Sequence, residues 1–119
     1  MKELLVISNH PPDRWGDDQK AGWDSIDYIP FPEIPPDADF DEVCGEIAVK
    51  LADKIGEWIG DHPNGKVNLQ GEFTVCYILF RAIDDMIFVF PTTKRETTEI
   101  VKEDGSVEKK TVFKFVRWR

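Results

Sequence analysis

Short apolar runs alternate along this chain with segments of helical period, and this alternation constrains the fold more than any other feature. Residues 4–7 are continuously apolar, which is typical of a strand buried on both faces, and Pro11 and Pro12 stop the run soon afterwards. Further strands are predicted at residues 26–31, 66–70 and 86–90.

Two helices are predicted between these strands. Apolar side chains recur at intervals of three and four over residues 43–59, with Asp39 or Asp41 as the N-cap. A second, more apolar helix is predicted over residues 71–83. The order of elements predicts an α/β fold, a Rossmann-like three-layer domain with a mainly parallel sheet.

The last part of the chain has a different pattern. Asp104-Gly105 is a strong hairpin turn, and the flanking residues alternate between polar and apolar. We therefore expect a single domain over residues 1–119, in which an α/β body (1–91) carries a C-terminal antiparallel β-hairpin (92–119).

A two-residue turn at Asp104-Gly105 would pair residues whose numbers sum to 209, although a bulge would shift these pairs. Arg95 then lies opposite Lys114, and two opposed like charges are destabilising unless an anion lies near them. The same register predicts the pairs Thr92 with Arg117, Glu99 with Lys110, and Val101 with Glu108.

Charge is distributed unevenly over the net −8 of the whole chain. Residues 1–91 carry 7 Lys or Arg against 18 Asp or Glu, a balance of −11, whereas residues 92–119 carry 8 against 5, a balance of +3. An acidic body argues against coating duplex nucleic acid, and a local basic segment suits a small phosphorylated ligand. A solvated hairpin with ordinary surface lysines explains the charge equally well.

No apolar run approaches the roughly 20 residues that span a bilayer, and the first residues do not resemble a signal peptide. A cytoplasmic protein without a membrane partner is expected. Cys44 and Cys76 are 32 positions apart among apolar neighbours, which favours two reduced, buried thiols.

Candidate ligand-binding residues follow the predicted strands, because open parallel sheets bind ligands beyond the carboxyl ends of their strands. Asn9 and His10 follow the first strand, and His10 is a candidate acid or base. Gln70 and Gly71 follow the third, where a glycine permits either close approach of a phosphate or a tight turn needed for packing.

The next helix begins at the same place. The amides of Glu72 and Phe73 could donate to a phosphate, or the Glu72 carboxylate could cap its own helix. After the fourth strand, Thr92 and Thr93 offer hydroxyls and Arg95 offers a forked guanidinium, which phosphates favour. These residues could equally begin an exposed strand.

Several motifs are missing from the sequence: a serine nucleophile elbow, a Walker loop, a dinucleotide fingerprint and a convincing metal-ligand spacing. No metal and no cofactor are therefore expected. Trp15, Trp23 and Trp118 could stack on a base, although packing is the commoner fate of tryptophan.

Four stretches of the sequence resemble a known family: Val-Ile-Ser-Asn-His near the start, Leu-Gln-Gly-Glu-Phe at 69–73, Pro-Thr-Thr-Lys-Arg at 91–95, and the Phe-Lys-Phe-Val-Arg-Trp-Arg end. Together they are similar to small Csx-type accessory proteins of type III CRISPR systems, relatives of the CRISPR-associated Rossmann-like (CARF) domains. The resemblance runs through nearly the whole chain.

This resemblance implies a homodimer that binds a cyclic oligoadenylate, with cyclic tetra-adenylate as the first expectation, and cleaves it as a ring nuclease. A ribose 2′-hydroxyl would attack the adjacent phosphate without a metal, so orientation and charge stabilisation suffice. The resemblance carries over His10, Gly71, Thr92, Thr93, Arg95 and Arg117, and the predicted hairpin pairing adds Lys114. A non-cleaving sensor and a structural partner in a CRISPR complex are the alternatives.

Overall fold

A computed structural model describes the backbone of residues 1–119 and the side chains of residues 1–84 and 86–119. Its sheet has three parallel strands, β1 (Glu3–Ser8), β2 (Ser25–Pro30) and β3 (Lys66–Leu69), in the order β2-β1-β3. The prediction of a parallel α/β sheet is confirmed for these strands.

The core lies on one face of this sheet. Leu5 and Ile7 of β1 and their neighbours Val67 and Leu69 of β3 point to the same side, since side chains alternate along a strand. Both long helices pack there, and Val43, Leu51 and Ile55 of the first and Val75, Cys76 and Leu79 of the second belong to the same cluster. Leu4 and Val6 point to the opposite face and are also fully buried, which explains the continuous apolar run of β1.

The helices begin and end near the predicted positions. The first long helix runs through α2 (Phe40–Glu42), a π-helical stretch (Val43–Ala48) and α3 (Val49–Asp61). Asp39 is its N-cap, because its carboxylate accepts a hydrogen bond from the Glu42 amide at 2.9 Å. A short helix α1 (Asp17–Lys20) lies between β1 and β2, and the second long helix is α4 (Phe73–Ala82).

The prediction of a fourth strand at residues 86–90 is wrong. The segment Asp85–Ile87 forms a 3-10 turn, and backbone pairing with β3 is limited to one isolated bridge between Phe88 and Val67. The reason lies at Phe90, whose backbone pairs with that of Arg119. The Phe90 amide donates to the Arg119 carbonyl at 2.6 Å, and the Arg119 amide donates to the Phe90 carbonyl at 2.8 Å. The chain therefore leaves the parallel sheet to enter the hairpin.

The C-terminal hairpin is confirmed, as a separate two-stranded sheet of β4 (Pro91–Val101) and β5 (Val107–Trp118). Its predicted register is wrong along most of its length, because opposed residues sum to 208. Arg95 lies opposite Phe113, so the predicted pairing with Lys114 does not form, and the pairs proposed for Val101 with Glu108 and Glu99 with Lys110 also fail. A shift between Thr92 and Thr93 restores the predicted pairing of Thr92 with Arg117.

The turn explains this difference. Lys102 and Ser106 form the last bonded pair, with 2.8 Å between the Lys102 nitrogen and the Ser106 oxygen, so three residues remain in the loop. Gly105 has φ +83°, as in a turn closed by a left-handed residue and a bulge. A three-residue loop moves every pair by one position relative to a two-residue loop.

One tryptophan joins the hairpin to the body. The Trp118 indole donates a hydrogen bond to the Gln19 carbonyl at 3.0 Å. Its ring contacts Trp15, Trp23 and Phe115 at centroid distances of 5.4, 5.6 and 5.9 Å. The hairpin therefore packs against the segment that connects β1 to β2. Across the described residues, no helix is both long and apolar enough to cross a membrane.

Candidate functional site

The carboxyl ends of β1 and β3 lie side by side. The pair Ile7 and Leu69 is in register, and the Gln70 amide donates to the Ile7 carbonyl at 2.9 Å. The chain leaves β1 at Asn9 and His10, both exposed, beside the exposed Gln70. The structure thus brings together the two groups of residues that the sequence placed after separate strands.

His10 is held in this arrangement through its backbone. Its backbone amide donates to the Ser8 hydroxyl at 3.1 Å, which shapes the turn after β1. Among the described side chains, none forms a hydrogen bond with the His10 ring. An exposed imidazole beside the sheet edge can meet a ligand directly, but a ligand would have to orient it.

Gly71 has a packing role. A Cβ placed there would lie 2.3 Å from the Phe31 ring, far inside van der Waals contact. Phe31 follows β2 and belongs to the core cluster, so its ring covers the turn between β3 and α4. Of the two explanations that the sequence allowed, the tight turn needed for packing has direct support.

The amino end of α4 is already capped. The Glu72 carboxylate accepts hydrogen bonds from the Thr74 and Val75 amides, each at 2.9 Å, as the capping alternative predicted. Burial opposes the charged form, but the two backbone hydrogen bonds, together with one from the Thr74 side chain, outweigh it and lower the pKa of Glu72. Glu72 and Phe73 are exposed, and a phosphate approaching this turn would meet a carboxylate.

The hairpin residues form a second group near its base. The Thr92 hydroxyl donates to the Arg117 carbonyl at 2.9 Å, so this hydroxyl holds the two strands together. Thr93 lies opposite Phe115, and Thr93 and Arg95 point to the same face because they are two positions apart. Thr93, Arg95 and Arg117 are exposed.

Lys114 lies on the other face of the hairpin. It is opposite Lys94, and its ammonium contacts the Glu96 carboxylate at 2.9 Å. The opposed cations are Lys94 and Lys114, not the predicted Arg95 and Lys114, and Glu96 supplies the compensating charge. Arg95 and Lys114 cannot act together on one small anion from opposite faces of one chain.

The two groups of predicted site residues remain separate. In the described part of the chain, no hydrogen bond or ion pair joins the hairpin group to the carboxyl edge formed by Asn9, His10 and residues 70–73. The hairpin base instead contacts the amino-terminal side of the sheet, where Trp118 and Val89 line a cavity with Lys2 and Lys66.

Sequence reasoning missed the contact partners of the tryptophans. Trp15, Trp23 and Trp118 pack on one another, which is the commoner of the two fates considered for them. Trp15 and Trp23 lie outside the four-residue helix α1, so no helical spacing in the sequence could have indicated this contact.

A metal site has no obvious place in the described structure. Within residues 1–84 and 86–119, no three His, Cys, Asp or Glu side chains gather closely enough to hold a metal ion. Cys76 is buried and Cys44 partly buried, both as free thiols. Burial raises the pKa of the Cys76 thiol, which opposes its ionisation.

Taken together, the fold and the exposed polar edge define a small α/β protein with a parallel three-stranded sheet and a basic hairpin. A family model described as "Uncharacterized protein MJ1673 family" matches residues 2–119, and the chain belongs to that family. No curated protein and no solved structure matches the chain.

Proposed function

We propose that a homodimer of this chain binds a cyclic oligoadenylate in the cytoplasm and cleaves it as a ring nuclease of a type III CRISPR system. The proposal starts from the sequence resemblance to CARF-like accessory proteins. The observation that carries it furthest is the 2.9 Å hydrogen bond between Gln70 and Ile7, which sets Asn9 and His10 beside Gln70 and Gly71 at one sheet edge.

The strand order supports a ligand site at this edge. From β1 the chain continues to β2 on one side and later returns to β3 on the other, so the direction of winding reverses between β1 and β3. Rossmann-like folds bind nucleotides in the crevice at such a switch point. We include in this proposal that the fold is a Rossmann-like, three-layer domain.

The chemistry needs few groups. A 2′-hydroxyl attacks the adjacent phosphate in line, so the protein has to hold the ribose and phosphate and stabilise the developing charge. Asn9 and Gln70 offer amide donors and acceptors to the cyclic oligoadenylate, and His10 would transfer a proton to or from the reacting oxygens. The attacking 2′-oxygen forms a cyclic phosphate, and the departing 5′-oxygen takes up the proton.

Positive charge would come from the hairpin of a second copy. Thr93, Arg95 and Arg117 are exposed, and within one chain the structure does not place them at the carboxyl ends of β1 and β3. Both faces of the hairpin carry exposed apolar side chains, Phe113 at 67% exposure on the face of Arg95 and Ile100 at 47% on the face of Lys114, which suits contact with another chain. A two-fold dimer could bring one hairpin to the other carboxyl edge.

A sensor that binds the messenger without cleaving it is the second candidate. The observation in its favour is the His10 ring, which is exposed and has no orienting partner among the described side chains. The Thr92 hydroxyl is likewise engaged with the Arg117 carbonyl. Catalysis usually needs a general base that a third group holds in place.

Product analysis separates cleavage from binding. The protein is incubated with cyclic tetra-adenylate and cyclic hexa-adenylate in the presence of a chelator, and the products are followed by chromatography. The proposal predicts linear products with a 2′,3′-cyclic phosphate end, and their loss in His10→Ala with binding retained. Tight binding without turnover would reject the ring nuclease and support the non-cleaving sensor. Absence of binding would reject both functions.

Light scattering tests the dimer. The proposal predicts a mass of twice 13.7 kDa in the presence of ligand. A monomer with and without ligand would contradict the two-chain site.

A further inference from the structure

A cavity of roughly 320 Å³ lies at the amino-terminal end of the parallel sheet, opposite the carboxyl end where Asn9, His10 and Gln70 lie. Its walls come from the first residues of β1 and β3, the turn before β2 and the base of the hairpin. This size is at the low end of the range of about 300–1,000 Å³ that is usual for small-molecule sites. It suits one small ligand.

The charge of this cavity differs from that of the body. Lys2, Lys66 and Arg119 line it, although residues 1–91 carry only 7 basic residues against 18 acidic ones. The acidic lining residue, Glu3, lies 3.1 Å from the His62 ring nitrogen, and that contact draws its carboxylate towards the helix-covered face. Three cations around one concave surface favour an anion, and phosphate is the anion that lysine and arginine commonly bind.

The cavity also has aromatic walls. Trp23 and Trp118 line it, with ring centroids 5.6 Å apart and planes at 88°. Both are only partly buried, so each presents indole surface to the cavity. Exposed indole surface beside cations is the combination that holds a planar ring bearing a phosphate.

A buried acceptor lies behind the same wall. Asn68 is fully buried, and its amide nitrogen donates to the carbonyl of Val89, a lining residue, at 3.1 Å. Its carbonyl oxygen has no hydrogen-bond partner among the described residues, which is uncommon for a buried polar atom. Asn68 projects from the same face of the sheet as Lys66, two positions earlier on β3.

We propose that this cavity is a second ligand site, for a mononucleotide or a compound of the same chemistry: an aromatic ring that carries a phosphate. The ring lies against Trp23 and Trp118, and the phosphate is held by Lys2, Lys66 and Arg119. The site is independent of the ring-nuclease proposal, because it shares no residue with Asn9, His10 or residues 70–73 at the opposite edge.

Titration with adenosine monophosphate tests the site, followed by calorimetry and by the quenching of tryptophan fluorescence. Adenosine and inorganic phosphate are titrated separately, since each carries half of the proposed recognition. The expected result is saturable binding of the monophosphate with quenching, at least about tenfold tighter than either half alone. Equal affinities for inorganic phosphate and adenosine monophosphate would overturn the role of Trp23 and Trp118 in binding the ring. Absence of binding by adenosine monophosphate would overturn the site.

Charge variants locate the binding. Lys66→Gln and Lys2→Gln are each expected to weaken binding of adenosine monophosphate about five- to tenfold. Lys102→Gln in the hairpin turn is the matched control and should change nothing. Because Lys66 also donates to the Met86 carbonyl, its variant is compared with Lys2→Gln, whose side chain is exposed. Unchanged affinity in both variants would overturn the proposal, even if cyclic tetra-adenylate binds elsewhere.

Discussion

The α/β body and the C-terminal hairpin differ in how they are stabilised. All fifteen buried apolar residues of the described structure lie in the body, from Leu4 to Phe88. The hairpin strands have 11 and 12 residues, and none of their side chains is buried. The body therefore has its own core, whereas the hairpin depends on the contacts at its base.

The shape of the molecule reflects this difference. Its radius of gyration is 17.9 Å, against about 13–14 Å for a compact domain of this length. An isolated two-stranded hairpin is marginally stable in water, so a long hairpin with two exposed faces is expected to need an anchor or a partner. Within one chain, the contacts around Trp118 supply the anchor.

The largest effect is expected from a truncation in the body. Ile55 is 1% exposed and packs in the core, so Ile55→Ala should lower the free energy of unfolding by about 2–5 kcal/mol. Ile100→Ala in the hairpin, at a side chain 47% exposed, is the matched control and should cost less than about 1 kcal/mol. Urea denaturation measures both. Equal costs would refute the division of the molecule into a packed body and an exposed hairpin.

A smaller global effect, but a large local one, is expected at the anchor. Trp118→Ala removes the hydrogen bond to Gln19 and the contacts with Trp15 and Trp23, and should cost about 2 kcal/mol. Amide exchange should become fast throughout β4 and β5 while β1 and β3 stay protected. Unchanged protection of the hairpin would show that something other than this aromatic cluster holds it.

Within the body, Glu72→Ala should remove the cap of α4 at a cost of about 1 kcal/mol. The folded-state pKa of Glu72 lies below its ordinary value of 4.5, so the stabilisation is fully present above that pH. It is lost as the pH falls through the lower, folded-state pKa. Denaturation at several pH values measures it, and a difference between the two proteins that persists in strong acid would contradict a charge-based cap.

The smallest effect is expected for the ion pair of the hairpin. Glu96→Gln leaves Lys94 opposite Lys114 without the carboxylate that now lies 2.9 Å from Lys114. The expected cost is about 0.5 kcal/mol at low salt, and it should fade as salt screens the two cations. Thermal unfolding at two salt concentrations measures it. A cost that does not depend on salt would mean that Glu96 acts through packing.

The fold was predictable where a local pattern decides the structure. The apolar run of β1, the apolar spacing of α3 and the Asp39 cap have local causes, and each lies at or near its predicted place. Residues 86–90 were also apolar, but a bond from Phe90 to the distant Arg119 decides their path. Such a long-range partner leaves no trace in a local pattern.

The candidate site was likewise predictable only where neighbouring strands decide it. The rule for parallel sheets correctly brought Asn9 and His10 beside Gln70, because adjacent strands share an edge. The hairpin group was assigned to that edge through a fourth strand that does not form. The register depended on whether the loop has two or three residues, and the Asp104-Gly105 motif is compatible with both.

The most direct test of the proposed function is a calorimetric titration of cyclic tetra-adenylate into the wild-type protein, Arg95→Ala and Lys102→Ala. The account predicts one ring bound per two chains, with affinity at least about tenfold weaker in Arg95→Ala and unchanged in Lys102→Ala. No binding by the wild-type protein, or equal loss in the two variants, would contradict it.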